Sequence, residues 1–187
     1  GVWGLNNKDS ANYTLVGGQN NTLTSSASGS IVGGVNNIAT QPYSYVYGTN
    51  NKDSAAYTLI SGITNTVASG HYGTSVLGMN NAVLGTGSRN YIMGDRDTIN
   101  TGTNNFLTGS SNTVNTGNNN TLAGTVNVLS STNNSVVRGN ANKVHNAGHA
   151  AVFGLNNVDS AAQTLVAGGS NLIGSLSAYS VAIGQYD

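Results

Sequence analysis

The sequence has no cysteine and very little charge. Its 187 residues include six basic and six acidic residues, all of the latter Asp, so the net charge is zero and the pI is about 7. Without cysteine, neither a disulfide framework nor a thiolate metal site is possible. The neutral balance also predicts no nucleic-acid partner, because that function needs a basic surface.

Long apolar runs are absent too, and the chain has a single Pro. No stretch reaches the roughly 18 apolar residues of a membrane-spanning helix, and none has the pattern of a signal peptide. Because the chain opens and closes within a repeat, we expect residues 1–187 to be one fragment of a longer solenoid. Any signal, stalk or membrane anchor is expected outside this fragment.

Glycine, in contrast, is abundant and regularly spaced. Thirteen of the 26 glycines recur at intervals of 14 to 16 residues. They are Gly4, Gly18, Gly34, Gly48, Gly62, Gly78, Gly94, Gly109, Gly124, Gly139, Gly154, Gly168 and Gly184. The residue two positions earlier is Val, Ile or Leu in every repeat but the last, which has Ala182. So short a period predicts a solenoid, because one coil cannot bury its own apolar face whereas stacked coils can.

Each coil contains two short runs with the pattern of β-strands. The run that ends at the glycine, such as residues 57–62, is rich in β-branched and aromatic residues and is apolar on both faces. The second run, such as residues 65–69, places one apolar residue between polar ones. We therefore predict an all-β parallel solenoid of about twelve coils. Since a strand that is apolar on both faces is normally buried on both, we also predict self-association about a closed symmetry axis.

Asparagine forms a second column, three residues after each of the first twelve glycines, and Asp97 replaces it once. The column consists of Asn7, Asn21, Asn37, Asn51, Asn65, Asn81, Asn112, Asn127, Asn142, Asn157 and Asn171. Stacked at the spacing of adjacent strands, these amides can hydrogen-bond along the column and to backbone groups at the corner. We predict a structural ladder and not a binding site.

The Asp residues, which are the first candidates for catalysis, also favour a structural interpretation. Asp9, Asp53 and Asp159 lie in the same motif, Asn-Asn-x-Asp-Ser-Ala, which indicates corners capped by Asp side chains. Asp95 and Asp97 favour a solvated turn over a carboxylate pair for hydrolysis. The three His residues lack the spacing of metal ligands. We expect no enzymatic activity, no cofactor and no metal.

Residues 42–47 form the most aromatic segment. Tyr45 and Tyr47 share one face of the first strand, so we expect them to pack at a subunit interface. Tyr43 is expected to be exposed, and it is the candidate residue for an adhesive surface.

The run Tyr179-Ser180-Val181-Ala182-Ile183-Gly184 resembles the S-V-A-I-G core of the head repeat of YadA-like trimeric autotransporter adhesins. Residues 74–78 and 150–154 are similar to this core at fewer positions. The resemblance implies a left-handed parallel β-roll, a homotrimer, secretion by autotransport and display on the bacterial outer membrane. In the collagen-associated repeat of that family an Asn stands first and a Ser last. Tyr179 and Asp187 occupy those positions here, which argues against collagen as the ligand.

On this basis we expect the head segment of a bacterial surface adhesin, attached to the membrane only through an anchor outside the fragment. It would hold host matrix, host cell surfaces or other bacteria by multivalent display. The alternatives are an ice-binding or glycan-binding solenoid and a phage fibre segment, in which the same repeat carries a planar binding face. Ice binding favours a flat Thr-x-Thr array, and the Thr positions here are shared with Ser, Asn and Ala.

Overall fold

The structure is a computed structural model that describes residues 1–185. The chain forms two compact units, Gly1–Asp95 and Arg96–Asp187. Within the described residues the regular secondary structure is entirely β-strand. This part of the chain accordingly has no helix with the length and apolar character needed to cross a membrane. Asp187, which stands in place of the last Ser of the adhesin repeat, lies outside the described residues.

The first unit has fifteen strands. They are β1 (Val2–Leu5), β2 (Lys8–Asp9), β3 (Leu15–Gln19), β4 (Thr22–Leu23), β5 (Ile31–Val35), β6 (Ile38–Ala39), β7 (Tyr45–Thr49), β8 (Lys52–Asp53), β9 (Leu59–Ile63), β10 (Thr66–Val67), β11 (His71–Tyr72), β12 (Ser75–Met79), β13 (Ala82–Val83), β14 (Gly87–Ser88) and β15 (Tyr91–Asp95). The long strands β1, β3, β5, β7, β9, β12 and β15 pair in this order as a parallel sheet, here called the glycine sheet. The strands β2, β4, β6, β8, β10 and β13 form a second parallel sheet, the short-strand sheet, and β11 pairs with β14.

The second unit repeats this arrangement. Its strands are β16 (Thr98–Thr101), β17 (Phe106–Ser110), β18 (Thr113–Asn118), β19 (Thr121–Thr125), β20 (Val128–Ser130), β21 (Thr132–Asn133), β22 (Val136–Asn140), β23 (Lys143–His145), β24 (Ala151–Leu155), β25 (Val158–Asp159), β26 (Leu165–Gly169), β27 (Leu172–Ile173) and β28 (Val181–Gln185). The glycine sheet has the order β17, β19, β22, β24, β26, β28, and the short-strand sheet has the order β16, β18, β20, β23, β25, β27. The strand β21 pairs with the end of β18.

Strands pair in parallel with the strand one coil further along the chain, so that equivalent residues of successive coils lie opposite each other. In the first unit Gly34 pairs with Gly48, and Gly48 with Gly62. In the second unit Gly139 pairs with Gly154. The predicted all-β parallel β-solenoid of about twelve turns is thereby confirmed.

The apolar core of each unit lies between its two sheets. In the first unit Val46 and Ile60 of the glycine sheet and Val67 of the short-strand sheet have no exposed surface. Leu107 and Val114 play the same part in the second unit. Because side chains alternate across a strand, the neighbours of these residues point away from the core. Burial of each large apolar side chain stabilises its unit by about 1.5–3 kcal/mol.

The recurrent glycines are required by the close approach of successive coils. Gly48 has a φ of 113°, a conformation that other residues rarely adopt. A Cβ atom on Gly48 would lie 2.0 Å from the carbonyl oxygen of Gly62 in the next coil. The same contact recurs at Gly154, where a Cβ atom would lie 1.9 Å from the carbonyl oxygen of Gly168. Only a residue without a side chain lets the coils stack at this point.

The outer face of the glycine sheet is open in the single chain. In the first unit Tyr45, Tyr47 and Leu59 expose 43, 40 and 39 % of their surface. These long strands are therefore buried on one face by their own unit. The other face is the one for which the two-sided apolar pattern predicts a partner subunit.

Candidate functional site

The candidate site lies on the outer face of the short-strand sheet in the second unit. Three neighbouring strands, β16, β18 and β20, present small uncharged side chains there in two columns. The buried residues Ile99, Val114 and Leu129 between the columns show that both columns point outward. The columns are Thr98, Thr113 and Val128, and Asn100, Asn115 and Ser130. These six partly exposed residues are called the small-residue face below.

Hydrogen bonds between coils hold the second column in place. The Asn100 Nδ2 group donates to Asn115 Oδ1 at 2.9 Å, and the Asn115 Nδ2 group donates to Ser130 Oγ at 2.8 Å. The first column consists of β-branched residues, whose χ1 rotation is restricted. The side chains of the face are therefore held in fixed positions, the second column by hydrogen bonds between strands and the first column by restricted χ1 rotation.

The small-residue face ends where charge begins. In the next strand, Lys143 pairs with Val128 and His145 pairs with Ser130. In the short-strand sheet of the first unit, Lys8 and Lys52 occupy the equivalent first column. In the second unit Lys143 is therefore the first charged residue of these columns, and in the first unit Thr66 and Ala82 of the first column are uncharged as well.

The outer face of the glycine sheet in the second unit is unlike this surface. Phe106, Arg138 and Phe153 project from it, so its side chains differ widely in size and charge. A repetitive ligand needs repeated contacts of one kind, and the small-residue face is the better candidate for such a ligand.

The Asn column is internal. Except for Asn7, which is half-buried, its members expose at most 1 % of their surface. The Asn142 amide is representative: its Nδ2 donates to Asn127 Oδ1 at 3.0 Å and to the Gly154 carbonyl at 2.9 Å, while its Oδ1 accepts from the Asn157 backbone and side chain at 3.0 Å. At the exception, Asp97 is fully buried, so the solvated turn expected for it is wrong, and its Oδ1 accepts the Asn112 backbone N–H at 2.7 Å. These groups support the corner of each coil and present nothing to a ligand.

The Asp residues of the Asn-Asn-x-Asp-Ser-Ala motif lie at the next corner. Asp53 is fully buried, its Oδ1 accepts the Ala55 backbone N–H at 3.0 Å, and its Oδ2 accepts the Thr58 hydroxyl. Burial raises the pKa of Asp53, and hydrogen bonds from Thr58, Ser44 and Ala55 offset this in part. The same two kinds of bond recur at Asp9, with Ala11 and Thr14, and at Asp159, with Ala161 and Thr164.

Tyr43 and the His residues, which are the remaining candidates from the sequence, are not brought together at a common site. Tyr43, which belongs to the first unit, exposes 49 % of its surface. No group of three or more His, Cys, Asp or Glu residues within residues 1–185 is arranged to hold a metal ion.

These features define a class of protein: a parallel β-roll with an ordered, uncharged array of small residues on one sheet. Residues 76–175 match the family model of the grass antifreeze β-roll. The match covers 100 of the 187 residues, including the whole small-residue face, and the chain belongs to this family. A comparison with curated proteins found no match. The β-solenoid that the resemblance to YadA-like heads implies is confirmed, but the family match is to an antifreeze β-roll and not to such a head.

The small-residue face is the feature that sequence reasoning misses. From the sequence, the second run of each coil is interpreted as a solvent-facing strand, and a strict Thr-x-Thr array is the pattern sought for ice binding. The available signal is weaker: the residues one and three places after the Asn column are small and uncharged in three successive coils, beginning at Thr98, Thr113 and Val128.

Proposed function

We propose that the protein binds ice through the small-residue face. Membership of the antifreeze β-roll family supports this function, and the order of the face supports this location. The observation that carries the proposal is the hydrogen-bonded column of Asn100, Asn115 and Ser130 beside a column of stiff β-branched residues.

The geometry of a parallel sheet suits an ice surface. Neighbouring strands lie about 4.8 Å apart, and alternate residues along a strand lie about 6.7 Å apart. These repeats are close to oxygen spacings in hexagonal ice, so water held over the face can join the lattice. Each water-mediated contact is weak, but the side chains are already ordered and many contacts act together. A strongly hydrated ammonium group would disturb that layer.

The test is a charged substitution in the middle of the face. Thr113→Lys places an ammonium group between Thr98 and Val128, the residues that pair with Thr113. We expect this variant to lose most of its inhibition of ice recrystallisation and of its partition into growing ice. The fold is expected to persist, because the Thr113 side chain is partly exposed and points away from the core.

Thr121→Lys is the matched control. Thr121 is also partly exposed in the second unit, but it lies on β19 of the glycine sheet. The control carries the same change in charge and should keep the activity of the native protein. Equal losses in both variants would contradict the proposed face, and native protein without ice affinity would contradict the function itself.

Ice binding by this face involves no chemical change of the ligand. It includes no catalytic step, no cofactor and no nucleic acid. It places the protein in contact with extracellular water, where ice grows.

A homotrimeric adhesin head on the bacterial surface is the second candidate, and one observation favours it. The outer face of the glycine sheet in the first unit carries large apolar side chains, with Trp3 exposed by 55 %, Tyr47 by 40 % and Met79 by 43 %. Large exposed apolar patches mark interaction sites, and three copies packed about one axis would cover this one. Attachment to host matrix or to other cells would then come from multivalent display.

Sedimentation equilibrium tests the trimer. The candidate requires a mass three times that of the 18.9 kDa chain and its loss in Tyr47→Lys. A concentration-independent monomer mass for the native protein would rule this candidate out.

A further inference from the structure

A second candidate binding site lies on the first unit, at the corner that leads into its glycine sheet. An open groove of about 410 Å³ is present there. Its lining includes Tyr43, Tyr45, Tyr57, Leu59, Gly73 and Ser75. None of these residues belongs to the small-residue face, so a ligand in this groove would bind independently of ice.

The groove exists because two columns of side chains become small in the same coil. At the corner, backbone bonds from Tyr57 to Pro42 and from Gly73 to Ala56 place Tyr43, Tyr57 and Gly73 in one column. In the sheet, Tyr45 pairs with Leu59, and Leu59 pairs with Ser75. Glycine and serine thus leave open the space that the large side chains fill in the preceding coils.

The aromatic wall of the groove is ordered. The rings of Tyr43 and Tyr57 stack with centroids 4.8 Å apart and planes at 27°, and the ring of Tyr72 lies 4.7 Å beyond that of Tyr57. These three residues still expose 47 to 51 % of their surface. Tyr45, which is 43 % exposed, lines the groove as well. A rigid aromatic surface loses little conformational entropy when it binds a ligand.

The chemistry of the lining indicates the class of ligand. It combines apolar ring and aliphatic surface with phenol and serine hydroxyls, which donate and accept hydrogen bonds. No charged residue lines the groove, although Arg89 flanks it beside Gly73. A pyranose ring is complementary to this lining, because its faces carry C–H groups that can pack on aromatic rings and its edge carries hydroxyls that can hydrogen-bond. The volume is within the usual range for small-ligand sites.

We propose that this groove binds a neutral glycan. One or two sugar rings pack against the exposed rings of Tyr45 and Tyr57, and their hydroxyls exchange hydrogen bonds with the phenols. The lining itself supplies no charged group, so stacking and neutral hydrogen bonds are the contacts it offers to a sugar, and Arg89 lies only at its margin.

Isothermal titration calorimetry with defined oligosaccharides tests the proposal. The probes are cellohexaose, xylohexaose and mannohexaose as neutral chains, and a galacturonate hexamer as the acidic one. We expect at least one neutral chain to bind, and to bind more tightly than the acidic chain. Tyr45→Ala removes one of the aromatic rings that line the groove, and Ser75→Trp fills the groove without reaching the core, so each should weaken binding by about tenfold or more.

Tyr13→Asn is the control, because Tyr13 occupies the same corner column, is 95 % exposed and lies outside the groove. It should bind as the native protein does. Far-UV circular dichroism and urea unfolding confirm that each variant is folded, and Ser75→Trp decides the matter if Tyr45→Ala does not fold. The proposal is overturned if no neutral chain binds, if the acidic chain binds best, or if the groove variants bind like the control.

Discussion

The carboxyl group of Asp53 is buried at a corner of its coil, and this burial makes the stability of the protein depend on pH. Burial has the largest effect on the pKa of Asp53 and raises it above the ordinary value of 3.8, while hydrogen bonds to the carboxylate offset part of this rise. The folded state therefore holds a proton more tightly than the unfolded state does. Stability from this group is fully present below the unfolded pKa and is lost as the pH rises through the folded pKa.

The variant Asp53→Asn tests this dependence. We expect Asp53→Asn to become more stable relative to the native protein as the pH rises above the ordinary Asp pKa of 3.8, because only the native protein loses stability when this carboxyl ionises. Each tenfold difference in proton affinity between the folded and unfolded states corresponds to about 1.4 kcal/mol. Urea unfolding at several pH values measures the difference. Lys52→Gln, which alters an exposed neighbouring charge, should show a much smaller change with pH. A difference between native protein and Asp53→Asn that stays constant with pH would contradict the assignment.

At the scale of the strand, the glycine column controls how closely coils stack. Gly154→Ala introduces a Cβ atom 1.9 Å from the Gly168 carbonyl oxygen at a residue whose φ is 119°. Backbone strain and overpacking together should cost roughly 2–6 kcal/mol. Urea unfolding followed by circular dichroism measures this loss.

Gly169→Ala is the control for that substitution. Gly169 lies in the next strand of the same sheet, and the nearest atom to its Cβ position is 3.7 Å away. Alanine there should change stability by less than about 1 kcal/mol. Equal effects at Gly154 and Gly169 would mean that close stacking does not select glycine.

The strands could be predicted from the sequence because buried positions repeat. The residues of the Val, Gly and Asn columns each contact the equivalent residue of the next coil, so the same residue type is needed in every coil. The outer side chains are not constrained by the same contact in every coil. Asn112-Thr113-Val114 and Asn120-Thr121-Leu122 have the same local pattern, yet Thr113 lies on the short-strand sheet and Thr121 on the glycine sheet. Only their distance from the recurrent glycine separates them, and that distance says nothing about which outer face binds a ligand.

Across the molecule as a whole, one repeat produces outer surfaces of different chemistry. Large apolar residues gather on the glycine sheet of the first unit, tyrosines line a groove at its corner, and small uncharged residues form the face in the second unit. The inner columns carry the stability of all of these surfaces. Function can therefore change by substitution at outer positions while the core stays the same.

This separation predicts that the small-residue face can be extended. Lys143 is exposed and lies between Val128 and Val158 in the first column of the short-strand sheet. Lys143→Thr removes the charge that ends the face and replaces it with a β-branched residue that suits a strand. We expect half-maximal inhibition of ice recrystallisation at a lower protein concentration than for the native chain.

Arg138→Thr separates the effect of the face from the effect of net charge. Arg138 is exposed in the coil that contains Lys143, but it lies on the glycine sheet, so this variant loses the same charge from the other side of the coil. Its activity should equal that of the native protein. If both variants gain activity alike, charge alone governs the effect. If neither gains, water over the column from Thr98 to Val158 does not act as one surface.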